Sequence, residues 1–485
     1  MEQLSSPARN RFPSLRIGAD GFSAQGAFAE AQAEFLEPDP DIVATLGQAL
    51  RRGQLGVVAH FYMDAELQGA LSASDWPLIH VSDSLQMADR ALQMAAAGAR
   101  AIIVLGVDFM AENVRAMLDA GGYGQLPVYR VASQAIGCSL AESAEVPTYG
   151  AYLERASRTP RSLHVVYVNT SLRVKAQAQR LLPTITCTSS NVVPLMLQAF
   201  AQIPDLHVWF GPDTYMGHNL ATMLQTYAGM DDAAARALHP RHSPATLAAA
   251  RERFHWFEQG VCIVHHMFGD DVVRRVEREY PDALIAAHLE VPGEMFALGF
   301  RAQQAGRGVV GSTSNILDFI GRRVDQVNGV PQKLQFMLGT EAGMTTAIAR
   351  KVQERLRARE AGGGAPLEVE IVFPVASEAI AQTGELHLPI VPGVAAGDGC
   401  STAGGCATCP YMKMNSLDAL LALVERIEQG ASKEALSAYE PRAYRERFDG
   451  LTIAELGTRS IVWMRDFHKT GALPPDLVDA IMRAR

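Results

Sequence analysis

No stretch of the 485-residue sequence approaches the roughly 18–20 consecutive apolar residues needed to span a bilayer. The first residues also lack the charged-then-apolar pattern of a secretory signal. The expectation is a chain without a membrane partner, in the cytosol. Positive charge is scarce too. With 43 basic against 52 acidic side chains and a net charge of −9, no basic face is offered to nucleic acid. An anionic small molecule would therefore be met by local cations or helix N-termini rather than by a global field. Cysteine is rare at six residues, and six thiols in a cytosolic chain point to metal or redox chemistry rather than a disulfide framework. A fourth ligand is missing as well. Cys400, Cys406 and Cys409 form a C-x5-C-x2-C pattern with no histidine close by, whereas structural zinc usually takes four neighbouring ligands. Alone, that pattern leaves a zinc knot, buried small hydrophobes, or thiols shared with distant cysteines.

What is present is a repeat. An apolar content of 48% supports a large core, and the length suits two to four domains. From Val57 onward, short apolar strands end in polar residues and run straight into amphipathic helices. The series begins at Val57–His60, Leu78–Ser84 and Ala101–Asp108, with a fourth apolar piece at Val128–Val131 before Cys138. It restarts at Val165–Asn169, Thr184–Ser190 and Val208–Asp213, with a fourth piece at Val261–Val264 around Cys262. A third series runs through Leu284–Glu290, Val309–Ser314 and Phe336–Glu341, with a fourth strand near Val369–Phe373. Self-similarity is plainest at Gly-Val-Asp108, Gly-Pro-Asp213 and Gly-Thr-Glu341. The second units each carry a serine, at Ser84, Ser189 and Ser312.

Parallel strands need helical crossovers. The pattern therefore predicts an α/β fold of three successive α/β/α sandwich domains, each with a small parallel sheet, related by a pseudo-threefold axis. Expected boundaries are a partly disordered extension at 1–40 with at most one helix, domains at 41–145, 146–270 and 271–395, and a cysteine-rich loop with C-terminal helices at 396–485. Ligands in such sheets bind beyond the carboxyl ends of the strands. Each domain closes with a cysteine: Cys138, Cys262 and one from the last cluster. If the domains meet around one axis, three thiolates can share one cofactor, and thiolates favour iron–sulfur clusters and zinc.

Ala59-His60-Phe-Tyr62, Val107-Asp108-Phe-Met-Ala-Glu112, Tyr167-Val-Asn169-Thr-Ser, Thr186-Cys187-Thr-Ser-Ser-Asn191, Cys262-x-Val-His265, His288-x-Glu290, Gly311-Ser-Thr313, Gly339-Thr-Glu341-x-Gly and Cys409-x-x-Met-Lys-Met resemble the quinolinate synthase family. The motifs occur in family order from about residue 55 to 417. The resemblance implies three stacked α/β/α domains around a [4Fe–4S] cluster with one open iron. It implies condensation of iminoaspartate with dihydroxyacetone phosphate to quinolinate, releasing phosphate and water, in de novo NAD biosynthesis. An iminoaspartate-supplying oxidase or dehydrogenase is an expected partner. Carried over by motif, the cluster ligands are Cys138, Cys262 and Cys409. The substrate site is His60, Ser84, Tyr167, Asn169, Ser189, His288, Glu290 and Thr313, with Tyr62, His288 and Glu290 catalytic.

The residue types suit these roles. Ser84, Ser189 and Thr313 offer hydroxyls at helix N-termini, where free N–H groups suit carboxylates and phosphate, although serines there also serve as plain N-caps. His60 can pair with a substrate anion, Tyr62 can act as acid or base, and Glu290 backed by His288 is the candidate base. His288-Leu289-Glu290-Val291 departs from the family's commoner His-Pro-Glu-Cys, which alters local stiffness and keeps both polar groups. Cys406 and Cys409 are expected to pair as a disulfide when the cluster is absent. His255, His265 and His266 near Cys262 form an alternative zinc set. Two rivals complete the range: a radical enzyme, which needs tighter C-x3-C-x2-C spacing, and a non-catalytic module stabilised by zinc.

Overall fold

In the computed structural model, residues 11–327, 332–374, 408–448 and 450–484 are described. Strands β1 (Ser14–Ile17) and β2 (Phe22–Gln25) come first. They are followed by β3 (Leu55–His60), β4 (Ile79–Ser82), β5 (Ala101–Leu105) and β6 (Val128–Arg130). Next come β7 (Ser162–Tyr167), β8 (Thr184–Cys187), β9 (His207–Gly211) and β10 (Phe254–Trp256). Last are β11 (Leu284–His288), β12 (Gly308–Gly311), β13 (Gln332–Gly339) and β14 (Leu367–Val372). They build three sheets, ordered β4-β3-β5-β6, β8-β7-β9-β10 and β12-β11-β13-β14-β1-β2. Within each set of four the pairing is parallel and the order is the same, second-first-third-fourth. The fold is thus α/β with small parallel sheets.

The first strand of each set, β3, β7 and β11, is buried at every residue. That explains why these strands read as continuous apolar runs rather than as alternating ones: helices cover both faces. One apolar core runs continuously through all three sheets and into the C-terminal helices. The helix Ile453–Thr470, closed at its start by a Thr452–Glu455 capping box, lies on the helix Leu172–Leu181 and on β8. There Ser460 and Thr186 share a buried hydrogen bond of 2.8 Å. The stripe Leu417, Leu420, Leu423 and Val424 is buried in the helix Leu417–Glu428.

Two expectations are corrected. The first forty residues are not merely an extension. β1 pairs antiparallel with β14 and β2 with β1, lengthening the third sheet, and a helix follows at Ala27–Glu34. These strands have only four residues each, too short to produce a visible period. In the second set the fourth strand is β10, not Val261–Val264, which is a loop entering a 3-10 turn at His265–Met267. Ile263 is 47% exposed in that loop, so its apolar run does not mark a buried strand. Cys400 and Cys406, with the disulfide expected of Cys406 and Cys409, lie outside the described residues.

Candidate functional site

The carboxyl ends of the three parallel sheets border one cavity of about 80 Å³. It is lined by His60, Tyr62, Ser84, Tyr167, Asn169, Ser189, His288, Glu290, Thr313, Cys138, Cys262 and Cys409, every site residue expected from the sequence. Asp83, His265 and Glu341 join them. A larger surface hollow of about 540 Å³ lies beside Leu36, Val43 and Arg350. Its acidic residue, Asp75, already bonds Arg51 at 2.9 Å, and no thiol or histidine lines it. The thiols, histidines and carboxylates gather at the smaller cavity.

The self-similar acids after the third strands explain how the cysteines arrive there. Asp108 Oδ1 accepts the Ile136 N–H at 3.2 Å and a guanidinium N–H of Arg130 at 2.7 Å, pinning the loop that ends in Cys138. Asp213 caps the helix Thr214–Ala228, and its neighbour Thr214 exchanges hydrogen bonds with Gly260 in both directions, two residues before Cys262. Glu341 accepts the Cys409 N–H itself, at 2.9 Å. A Cβ at Gly260 would sit 2.1 Å from the Pro212 carbonyl oxygen, so only glycine lets this loop lie so close. Ser139 Oγ, donating to the Val261 carbonyl at 3.4 Å, ties the first two cysteine loops together. Cys138, Cys262 and Cys409 are all free thiols. Burial pushes Cys138 up to about 12 and Cys409 well above its ordinary value, and the neighbouring thiols add to both shifts. Buried thiols of this kind become ligands only when a cation offsets the desolvated charge.

The first strands supply the polar groups. His60 and His288 end β3 and β11, and each Nδ1 accepts the amide N–H two residues on, from Tyr62 at 3.2 Å and Glu290 at 3.4 Å. That bond assigns the remaining ring proton to Nε2. Burial lowers His60 to about 3 and His288 to about 4, so both are neutral hydrogen-bond donors. A neutral His60 can still meet a substrate anion, through a ring N–H rather than through a charge. Glu290 accepts from the Tyr167 phenol and lies 3.3 Å from His265 Nδ1 and 3.5 Å from His288 Nδ1. Burial alone would raise its pKa. The histidines and the phenol outweigh that and hold it down to about 2, so it is a carboxylate. Tyr62 Oη lies 3.4 Å from Thr313 Oγ1, and burial together with Glu290 raises it far above the phenol range. Tyr62 therefore carries its proton and can act as a donor, not as a resting base.

The hydroxyl residues are not the helix caps. Asp83 caps the helix Ser84–Ala96, and Ser312 caps Thr313–Gln326 through a box with Asn315. The Ser84 and Thr313 hydroxyls thus stand at the first helical position, free of capping duty, while Ser189 lines the cavity with Tyr167, ahead of the Asn191 N-cap of its helix. The zinc set of three histidines is not assembled. His255 Nε2 pairs with His207 and His266 with Tyr215, and only His265 faces Cys262. Cys262, His265 and Glu290 bring ligand atoms within 4.8 Å of one another, a group able to hold a metal ion. Role assignment from the sequence gave Glu341 no role and placed His265 only in the zinc set, although both stand within motifs that it identified.

Parallel sheets whose polar groups and thiols converge beyond their carboxyl ends define an α/β enzyme acting on a small molecule in a pocket between them. The profile of the quinolinate synthetase A protein family matches residues 45–363. Chloroplastic quinolinate synthase of Nicotiana tabacum is 51% identical over 496 residues, covering 100% of this chain and 68% of that protein. Its counterpart in Arabidopsis thaliana is 48% identical, covering 98% and 68%. Quinolinate synthase of Prochlorococcus marinus is 26% identical over 387 residues, covering 78% and 84%. The chain belongs to the quinolinate synthase family, enzymes of NAD biosynthesis.

The comparisons overturn the cytosolic expectation, because the plant relatives at 48–51% identity are chloroplastic enzymes. No described helix is long and apolar enough to cross a membrane.

Proposed function

We propose that this enzyme condenses iminoaspartate with dihydroxyacetone phosphate to form quinolinate, releasing phosphate and water, with a [4Fe–4S] cluster held by Cys138, Cys262 and Cys409. The carrying observation is that three free cysteines, distant in sequence, line one cavity together with Glu290 and Tyr62. The donor set fits such a group. Among the described residues only Cys262, His265 and Glu290 bring three ligand atoms within 4.8 Å. The three thiols are therefore not all close enough to share one ion as they stand, whereas a polynuclear cluster takes thiolates on separate irons. When bound, the cluster supplies a Lewis-acidic iron for polarising substrate oxygens and easing loss of water.

The chain supplies the rest. His60 and His288 offer neutral Nε2–H donors to carboxylate or carbonyl oxygens. Ser84, Ser189 and Thr313, with the N–H groups at the helix starts, receive carboxylate or phosphate oxygens. Glu290, ionised and hydrogen-bonded by Tyr167, accepts protons during tautomerisation. Tyr62 returns one to a developing hydroxyl. Asn169, two residues beyond β7, orients the substrate.

A second occupant is favoured by one observation: Cys262, His265 and Glu290 could hold a single ion such as zinc. Anaerobic purification separates the two. The cluster reading expects a brown protein with about four irons per chain that Cys138→Ser abolishes. A colourless protein whose zinc survives Cys138→Ser supports the single ion. The reaction itself is tested by anaerobic formation of quinolinate from dihydroxyacetone phosphate and freshly generated iminoaspartate, and its absence in the iron-loaded enzyme sinks the assignment.

A further inference from the structure

Each of the three first-strand loops is gripped in the same way. In the first, the buried side-chain amide of Gln68 donates to the carbonyls of Phe61 at 2.7 Å and Met63 at 2.9 Å, the two residues flanking Tyr62. In the second, buried Lys175 Nζ donates to the carbonyls of Val168, at 3.1 Å, and Thr170, the two flanking Asn169. In the third, buried Asn219 Nδ2 donates to the carbonyls of Leu289 at 2.9 Å and Val291 at 2.8 Å, the two flanking Glu290. Two carbonyl oxygens can be satisfied only by the nitrogen end of an amide, so the orientation of Asn219 follows from its partners. All three donors are at most 1% exposed.

The gripped residue stands two positions beyond the strand's last residue in every case: His60 to Tyr62, Tyr167 to Asn169, His288 to Glu290. The donor stands eight beyond it in the first two loops, at Gln68 and Lys175. The eighth position of the third loop is Phe296, which cannot donate, and Asn219 supplies the missing donor from the helix Thr214–Ala228 behind the second sheet. Gln68 Nε2 also reaches the Gly343 carbonyl of the third sheet's loop at 2.6 Å, so its two N–H groups are shared among three carbonyls. Three loops with unrelated sequences share a grip on the same two carbonyls, which a merely opportunistic satisfaction of buried polar groups does not require.

We propose that Gln68, Lys175 and Asn219 are positioning residues that fix the directions of Tyr62, Asn169 and Glu290 by clamping the carbonyls on either side of each. A clamped pair of peptide planes leaves the intervening Cα–Cβ bond one direction, so the side chain is aimed before substrate arrives. This inference rests on the roles assigned above to those three residues.

The test is a double-mutant cycle on the metal-loaded enzyme, comparing Asn219→Leu, Glu290→Gln and the double variant by kcat, KM and thermal midpoint. The expected result is a kcat about 10–100-fold lower for Asn219→Leu, with KM changed little. The double variant is expected to be no slower than Glu290→Gln alone, since the clamp acts only through Glu290. Ser460→Ala, which loses a buried hydrogen bond between residues outside the cavity lining, should lower the midpoint and leave kcat unchanged. An inactive Glu290→Gln beside an unimpaired Asn219→Leu overturns the clamp and spares the role of Glu290. Full activity in Glu290→Gln overturns that role and the clamp with it. Should Asn219→Leu fail to fold, Gln68→Leu against Tyr62→Phe decides by the same comparison.

Discussion

At the residue scale, most of the site was legible because chemistry-bearing types stand at strand ends, where a parallel sheet collects them. His60, Tyr167 and His288 follow apolar runs and proved to be the last residues of β3, β7 and β11. Charge state was not legible, because it depends on burial that only packing supplies. His164 shows the same effect away from the cavity. It is fully buried between the Tyr149 hydroxyl at 2.9 Å and the Thr184 hydroxyl at 3.3 Å, and burial lowers its pKa from the ordinary 6.5 to about 3. Between those values the unfolded chain binds a proton that the folded one refuses. The neutral ring's contribution is therefore complete above pH 6.5 and lost as the pH falls toward 3. From pH 6.5 to 5 the loss is about 2 kcal/mol. Urea unfolding of wild type and His164→Gln at both pH values checks this: the stability gap between them should shrink by about that amount on acidification. An unchanged gap refutes it.

At the element scale, the repeat of strand and helix was readable, and the exceptions have physical causes. β1 and β2 were missed because four-residue strands added antiparallel at a sheet edge carry no period and no crossover helix. Val261–Val264 was misread because an apolar run resembles a strand, while the loop's path is set by Gly260 against Pro212. That contact yields a prediction. In Gly260→Ala the added methyl meets a backbone carbonyl that cannot swing aside, so the loop must shift, at a cost of about 1–3 kcal/mol. The thermal midpoint should fall, and the Cys262 thiol of the metal-free protein should react faster with a thiol reagent. Unchanged values for both would show that the loop tolerates the methyl. The carbonyl grips by Gln68, Lys175 and Asn219 escaped the sequence for a related reason. Glutamine, lysine and asparagine have no common pattern, and the third donor comes from a different sheet's helix.

At the scale of the whole molecule, three parallel sheets share one uninterrupted core, and bonds between them are polar as well as apolar. Tyr444 of the C-terminal segment donates to buried Glu112 at 2.9 Å, and Glu112 also accepts the Leu172 N–H at 3.2 Å at the start of a second-sheet helix. Calorimetry of the metal-free chain should accordingly give one cooperative transition rather than separate meltings. Resolved successive peaks would show that the sheets unfold independently. The order of strands within each sheet could be anticipated only as far as parallel pairing. That the order is identical in all three became visible only in the structure, since hydrogen-bond partners across a sheet leave no mark on a single chain.

Glu341's hold on the Cys409 amide has a consequence for how the protein is made. The last of the three thiols is delivered by a segment that leaves the ribosome after every parallel strand has emerged. A nascent chain halted before that segment carries Cys138 and Cys262 without their companion. Assembly of the finished pocket is therefore deferred until the segment carrying Cys409 has been made.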